Sequence, residues 1–97
     1  MLPPLSLASV VMRTDGFLAA EIDGEVVALS IEQGSYYGLN LPGSHIWTLL
    51  ASSVRVRDLV ATLLTEYQVA PDVCERQVLD LLEELRTEGL IATVENT

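Results

Sequence analysis

Gly34-Ser35-Tyr36-Tyr37-Gly38-Leu39-Asn40-Leu41-Pro42-Gly43-Ser44-His45-Ile46-Trp47 reads as a strand that stops abruptly and hands over to a helix. Tyr37, Leu39 and Leu41 alternate onto one face, with Tyr36 and Asn40 on the other, the period-two pattern of a half-buried strand over 35–41. Pro42 and Gly43 end it, and Ile46, Trp47, Leu49 and Leu50 come next at the spacing of an apolar helix face. Residues before this stretch have strand character, and residues after it have helical character. A sheet therefore meets a helical bundle here, and a groove between them is the natural place for a ligand.

Working outward toward the N-terminus, Phe17–Ile22 and Glu25–Ile31 flank Asp23-Gly24, a dipeptide suited to a type I′ hairpin turn. A second turn at Glu32-Gln33-Gly34 leads into the strand at 35–41. The pattern predicts a three-stranded antiparallel meander with Val27, Leu29, Tyr37 and Leu39 toward the core. Val10–Arg13 is predicted as a short edge strand. Residues 1–9, with Pro3 and Pro4, read as a flexible arm ahead of a single domain over 10–97.

Toward the C-terminus, helices are predicted over about 43–51, about 56–67 and from Pro71 to the Gly89 cap. In the last of these, Cys74, Val78, Leu81, Leu82 and Leu85 form one apolar stripe, opposite Arg76, Asp80, Glu83 and Glu84. Leu90-Ile91 supply the hydrophobic contact of a helix C-terminal motif, and Ala92–Glu95 are predicted as a trailing wing strand. Strands followed by three helices give an α+β class with winged helix-turn-helix character.

The composition narrows the function. The chain of 97 residues carries 14 acidic and 5 basic side chains, a formal charge of −9, with a mean hydropathy of +0.37. That surface repels phosphate backbones and anionic lipid, so nucleic acid and membrane partners are not expected. A DNA-binding winged helix, the rival reading of the fold, would need a basic recognition helix. The last helix instead sets Arg76 and Arg86 among six acids. No apolar run approaches the ~18 residues of a membrane span, and the N-terminus lacks the basic region of a signal peptide. One cysteine, Cys74, precludes an internal disulfide or a thiol zinc site, which suits a cytoplasmic protein.

Catalytic chemistry is not expected either. His45 and Cys74 are the sole imidazole and thiol, and Cys74 falls on the buried stripe, where a thiol is inert. The carboxylates are spaced as a solvated face, and the glycines match no phosphate-binding fingerprint. The sequence therefore predicts no enzyme, no metal and no cofactor. Trp47 reads as core. Tyr36 points away from the core set beside Gly38 on an edge strand, and an exposed edge of that kind suits a partner strand.

Leu29-Ser30-Ile31-Glu32-Gln33-Gly34-Ser35-Tyr36-Tyr37-Gly38-Leu39-Asn40, then Gly43 and Ile46-Trp47-Thr48-Leu49-Leu50, resembles the PqqD-like family. So do Leu59 through Tyr67, Val69-Ala70-Pro71-Asp72-Val73-Cys74, and Val78 through Gly89-Leu90-Ile91. Members of this family serve as RiPP recognition elements, domains that hold the leader peptides of ribosomally made precursors. The resemblance spans about residues 17–94 and implies a three-stranded sheet packed on three helices. It further implies that a leader adds as a strand on the open edge formed by Ser35, Tyr36, Tyr37, Gly38, Leu39, Asn40 and Leu41. Val78, Leu81, Leu82 and Leu85 would form the opposite wall. The Tyr-Tyr-Gly-Leu-Asn form is most similar to the stand-alone leader-binding proteins of lasso peptide biosynthesis, whose partners are a leader peptidase and a macrolactam cyclase. Related domains serve radical SAM enzymes. Two positions depart from the family: Ser30, where many members carry Asp, and Ala70, where a polar cap precedes Pro71. Both bear on turn and helix detail rather than on the edge.

Overall fold

The computed structural model describes residues 3–94. Strands β1 (Val10–Arg13), β2 (Phe17–Ile22), β3 (Glu25–Ser30) and β4 (Tyr36–Gly38) precede helix α1 (Leu41–Leu49). A two-residue strand β5 (Val54–Arg55) opens α2 (Val56–Glu66), and α3 (Pro71–Thr87) leads into β6 (Ile91–Thr93). The expected sheet on three helices is present, in the order β2-β3-β4 and antiparallel throughout.

The hairpin between β2 and β3 arises from Asp23-Gly24. Both adopt positive φ, 53° and 84°, as a type I′ turn demands, and Ile22 pairs directly with Glu25. At the other end of the chain α3 closes with Gly89 at φ 82°. The Gly89 and Leu90 amides donate to the Arg86 and Leu85 carbonyls, so the helix ends in a Schellman motif that turns Leu90 and Ile91 into the core.

Three expectations need correction. The core face of β3 is Val26, Ala28 and Ser30, whereas Val27 is half-buried and Leu29 exposed. Ala28 lies opposite Tyr37 in the ladder, and α1 packs against β3, so small side chains occupy the inner face and the larger ones turn out. β1 is not an edge: it is the centre of a second antiparallel sheet, β5-β1-β6, with Val11 paired to both Val54 and Thr93. The expected trailing strand is present as β6 and forms an edge of that sheet; Glu95 lies outside the described residues. Finally, the arm is tied down. Leu5 is buried, its amide donates to Glu83 Oε2 at 2.8 Å, and Arg86 Nη1 donates to the Pro3 carbonyl at 3.0 Å. Met1 and Leu2 lie outside the described residues.

The core runs between the sheets and helices, with Leu50, Leu59, Leu82, Leu85, Leu90 and Ile91 fully enclosed. Trp47 is buried as expected, and the Arg13 guanidinium stacks 5.0 Å from its ring centroid.

A candidate peptide-binding groove

β4 pairs on one side only, with β3. Leu39 donates to the Val26 carbonyl and Ser30 donates to the Ser35 carbonyl. Antiparallel bonding alternates, so residues 35, 37 and 39 direct their polar groups to β3. Tyr36 and Gly38 direct their N–H and C=O groups to the open edge. The edge thus presents two donors and two acceptors to an incoming chain.

The end of this strand is fixed by two polar residues. Asn40 caps α1, its Oδ1 accepting from the Gly43 amide at 2.9 Å. Ser44 is buried, and its hydroxyl accepts from the Val26 amide at 2.7 Å while donating to the Leu39 carbonyl at 3.2 Å. That one side chain replaces the next rung of the ladder and locks α1 onto β3 and the end of β4. Leu41, expected on the strand's core face, is the first residue of α1 and is exposed, because the strand ends at Gly38 and Asn40 caps the helix.

Across from the open edge lies α3. Its Cys74, Gln77, Val78, Leu81, Glu84 and Glu88 recur at helical spacing. Cys74, Gln77, Val78 and Leu81 line a cavity of about 410 Å³ whose other side is Asn40, Gly43, Ile46 and Tyr67. Further along, Tyr37 lies beside Glu84 of α3, and burial together with the neighbouring Glu84 and Glu88 carboxylates pushes its pKa up to about 12. Beyond Tyr37 a small hollow of about 70 Å³ opens between Tyr36, Glu88 and Leu90. From Cys74 to Glu88 the helix rises about 21 Å, the length of about six residues of extended chain.

Of the residues expected on the helical wall, Leu81 is half-buried and lines the cavity, and Val78 lines it while 3% exposed. Leu82 and Leu85 are wholly buried. They face the core, since a helix stripe broad enough to serve both core and groove divides between them. Gln77, Tyr67, Glu84 and Glu88 also face the groove, and apolarity does not mark them for it. On α3 the signal is helical spacing, back from Leu81 to Gln77 and forward to Glu88.

His45 and Cys74 do not share a site. His45 faces the Tyr67 ring at 6.3 Å and lines a hollow with Glu21 and Gly24, whereas Cys74 lines the larger cavity. Burial pushes the Cys74 thiol up, away from the thiolate a nucleophile requires. Among the described residues no group of His, Cys, Asp and Glu side chains could hold a metal ion, and no helix is long and apolar enough to cross a membrane.

With this geometry in place, comparison with known proteins is direct. The chain matches the family of coenzyme PQQ synthesis protein D (PqqD) over residues 25–91. It belongs to the PqqD family. A solved structure of TbiB1 in complex with the TbiA(beta) leader peptide is 34% identical, with a TM-score of 0.79 over 88% of this chain and 99% of that one. A lasso peptide synthetase B1 complexed with the leader peptide is 24% identical, with a TM-score of 0.76 over 84% of this chain and 96% of that one. The second likeness bears on the fold alone. No curated protein is similar enough to count as a match.

Proposed function

We propose that this protein is a non-catalytic recognition element that binds the leader segment of a ribosomally made precursor peptide by strand addition to β4. In this reading it presents that peptide to modifying enzymes in the cytoplasm. The observation that carries it is the unpaired edge of β4, with the Tyr36 and Gly38 polar groups outward, continued past Asn40 by an apolar-lined cavity between α1, α2 and α3. Backbone pairing supplies sequence-tolerant affinity, and the pocket selects side chains. The relative at 34% identity was solved with a leader peptide, which supports leader binding, and the fold neighbour that is a lasso peptide synthetase B1 makes lasso peptide biosynthesis the setting we propose. A leader peptidase and a macrolactam cyclase are then the enzymes served; a radical SAM enzyme would be the alternative client. Ser35, Tyr36, Tyr37, Gly38, Leu39, Asn40 and Leu41 would form or flank the pairing edge, and Val78 and Leu81 the wall.

The test titrates a candidate leader, taken from a neighbouring precursor gene, into the ¹⁵N-labelled protein. Shifts concentrated in residues 35–41 and 73–88 are expected. Gly38→Pro removes an outward N–H without touching the β3 ladder, and Leu81→Arg puts a charge on the cavity wall. Both should remain folded and lose the leader. Undiminished binding in both variants would sink the groove reading.

A further inference from the structure

The N-terminal arm bonds to two helices at once. On α3, Glu83 Oε2 accepts from the Leu5 amide at 2.8 Å, and Arg86 Nη1 donates to the Pro3 carbonyl at 3.0 Å. Glu83 and Arg86 also pair with each other, so each charge is balanced while one side chain reads an N–H of the arm and the other a C=O. Leu5 itself is buried in the core. On α2, the Val56 and Arg57 amides donate to the Ser9 and Leu7 carbonyls at 2.9 and 3.0 Å, and Arg55 Nη1 donates to the Ala8 carbonyl at 2.6 Å. Arg55 is the N-cap of α2 and makes no side-chain cap bond. The arm therefore supplies the acceptors that first-turn amides lack inside a helix.

These bonds bear on the cavity through the packing of α2 on α3. The two helices are joined by residues 67–70 alone, the short connection of an αα-hairpin. At that end Leu63 and Tyr67 on one side, and Cys74, Gln77, Val78 and Leu81 on the other, line the cavity beyond the β4 edge. At the opposite end the arm joins the start of α2 to the last turns of α3. The hairpin is thus closed by its own turn at one end and by the arm at the other. At about 100° per residue, Glu83 and Arg86 also lie on roughly the opposite side of α3 from Leu81. A side chain entering the cavity presses α3 toward the flank that the arm braces.

We infer that Glu83 is a positioning residue for leader binding: by holding the arm at the Leu5 amide, it fixes the spacing of α2 and α3 that the leader needs. Arm docking and leader binding then strengthen each other by one common factor. The inference rests on the leader-binding reading and adds the segment that tunes its affinity.

The experiment uses the full chain and, as probe, the synthetic leader encoded by the neighbouring precursor gene. Calorimetric affinities are compared for wild type, Glu83→Ala, Glu83→Gln and Leu5→Ser, with thermal unfolding of each to show that it is folded at the titration temperature. Glu83→Ala and Leu5→Ser should weaken the leader at least about fivefold, the lower end of ordinary coupling between sites. Glu83→Gln keeps an oxygen for the Leu5 amide and should recover most of that loss. Amide exchange gives the reciprocal readout, which a merely structural contact would not move: saturating leader should slow exchange of the wild-type Leu5 amide by the factor that Glu83→Ala costs in affinity. Unchanged leader affinity in folded Glu83→Ala and Leu5→Ser overturns the inference, and so does a Leu5 exchange rate indifferent to the leader. Both results presuppose a wild type that binds. An unshifted leader titration of wild type would instead remove the leader-binding reading and this coupling together.

Discussion

Ser44 holds the end of the binding strand with a single hydroxyl. Replacing it with alanine strands the buried Val26 amide, which should cost about 1–3 kcal/mol. For a domain of this length that lowers Tm by roughly 4–8 °C for each kcal/mol. Thermal and urea unfolding of Ser44→Ala would check it, and wild-type stability would remove Ser44 as the latch. Tyr37 offers a pH signature. Its pKa is pushed up to about 12, above the ordinary 10.0, by burial and by the neighbouring Glu84 and Glu88 carboxylates. The folded state therefore keeps the phenolic proton where the unfolded chain releases it. This contribution is complete below pH 10 and disappears as pH rises through about 12. Stability should fall more steeply in that window for wild type than for Tyr37→Phe; parallel curves would contradict the assignment.

At the scale of elements, the turn chemistry makes its own prediction. Gly24 has φ 84° and a Cβ there would sit 3.1 Å from Leu41 Cδ2, whereas Gly38 has open space at its Cβ position. Gly24→Ala should destabilise by about 1–2 kcal/mol, and Gly38→Ala should stay within about 0.5 kcal/mol of wild type. Equal effects in denaturant unfolding would show that the hairpin does not depend on its left-handed turn. The same hairpin marks what the sequence discloses. Asp23-Gly24, the apolar helical spacing and the Pro71 and Gly89 boundaries announce their elements because each depends on neighbours in the chain. The inner face of β3 is hidden because Ala28 and Ser30 admit α1 by being small, and smallness leaves no hydrophobic period. The sheet β5-β1-β6 is hidden because a two-residue strand has no pattern and the pairing of Val11 with Thr93 is visible only in three dimensions. In the site, the β4 edge is legible from Tyr36 and Gly38. The division of the α3 stripe between Leu81 outside and Leu82 and Leu85 inside is not, because one residue of helix rotation separates core from groove.

For the molecule as a whole, the charge of −9 acts at a distance. A basic partner should associate faster at low salt, and its on-rate should fall as the Debye length shrinks from about 10 Å at 0.1 M to about 3 Å at 1 M. Stopped-flow association over that range is the check; a flat response would mean that the acidic surface takes no part in encounter.

The second sheet also sets an order of events during synthesis. β2, β3 and β4 are joined by short turns, so the strands that would receive a peptide can pair as soon as residues 17–38 are free. β1 must wait for β6 at residues 91–93, and contacts so distant along the chain form slowly. A nascent protein thus has its candidate binding edge assembled and its own closure pending. Until β6 arrives, one flank of β1 and the outer edge of β4 both present unpaired backbone groups, and only the flank of β1 is closed by the chain itself.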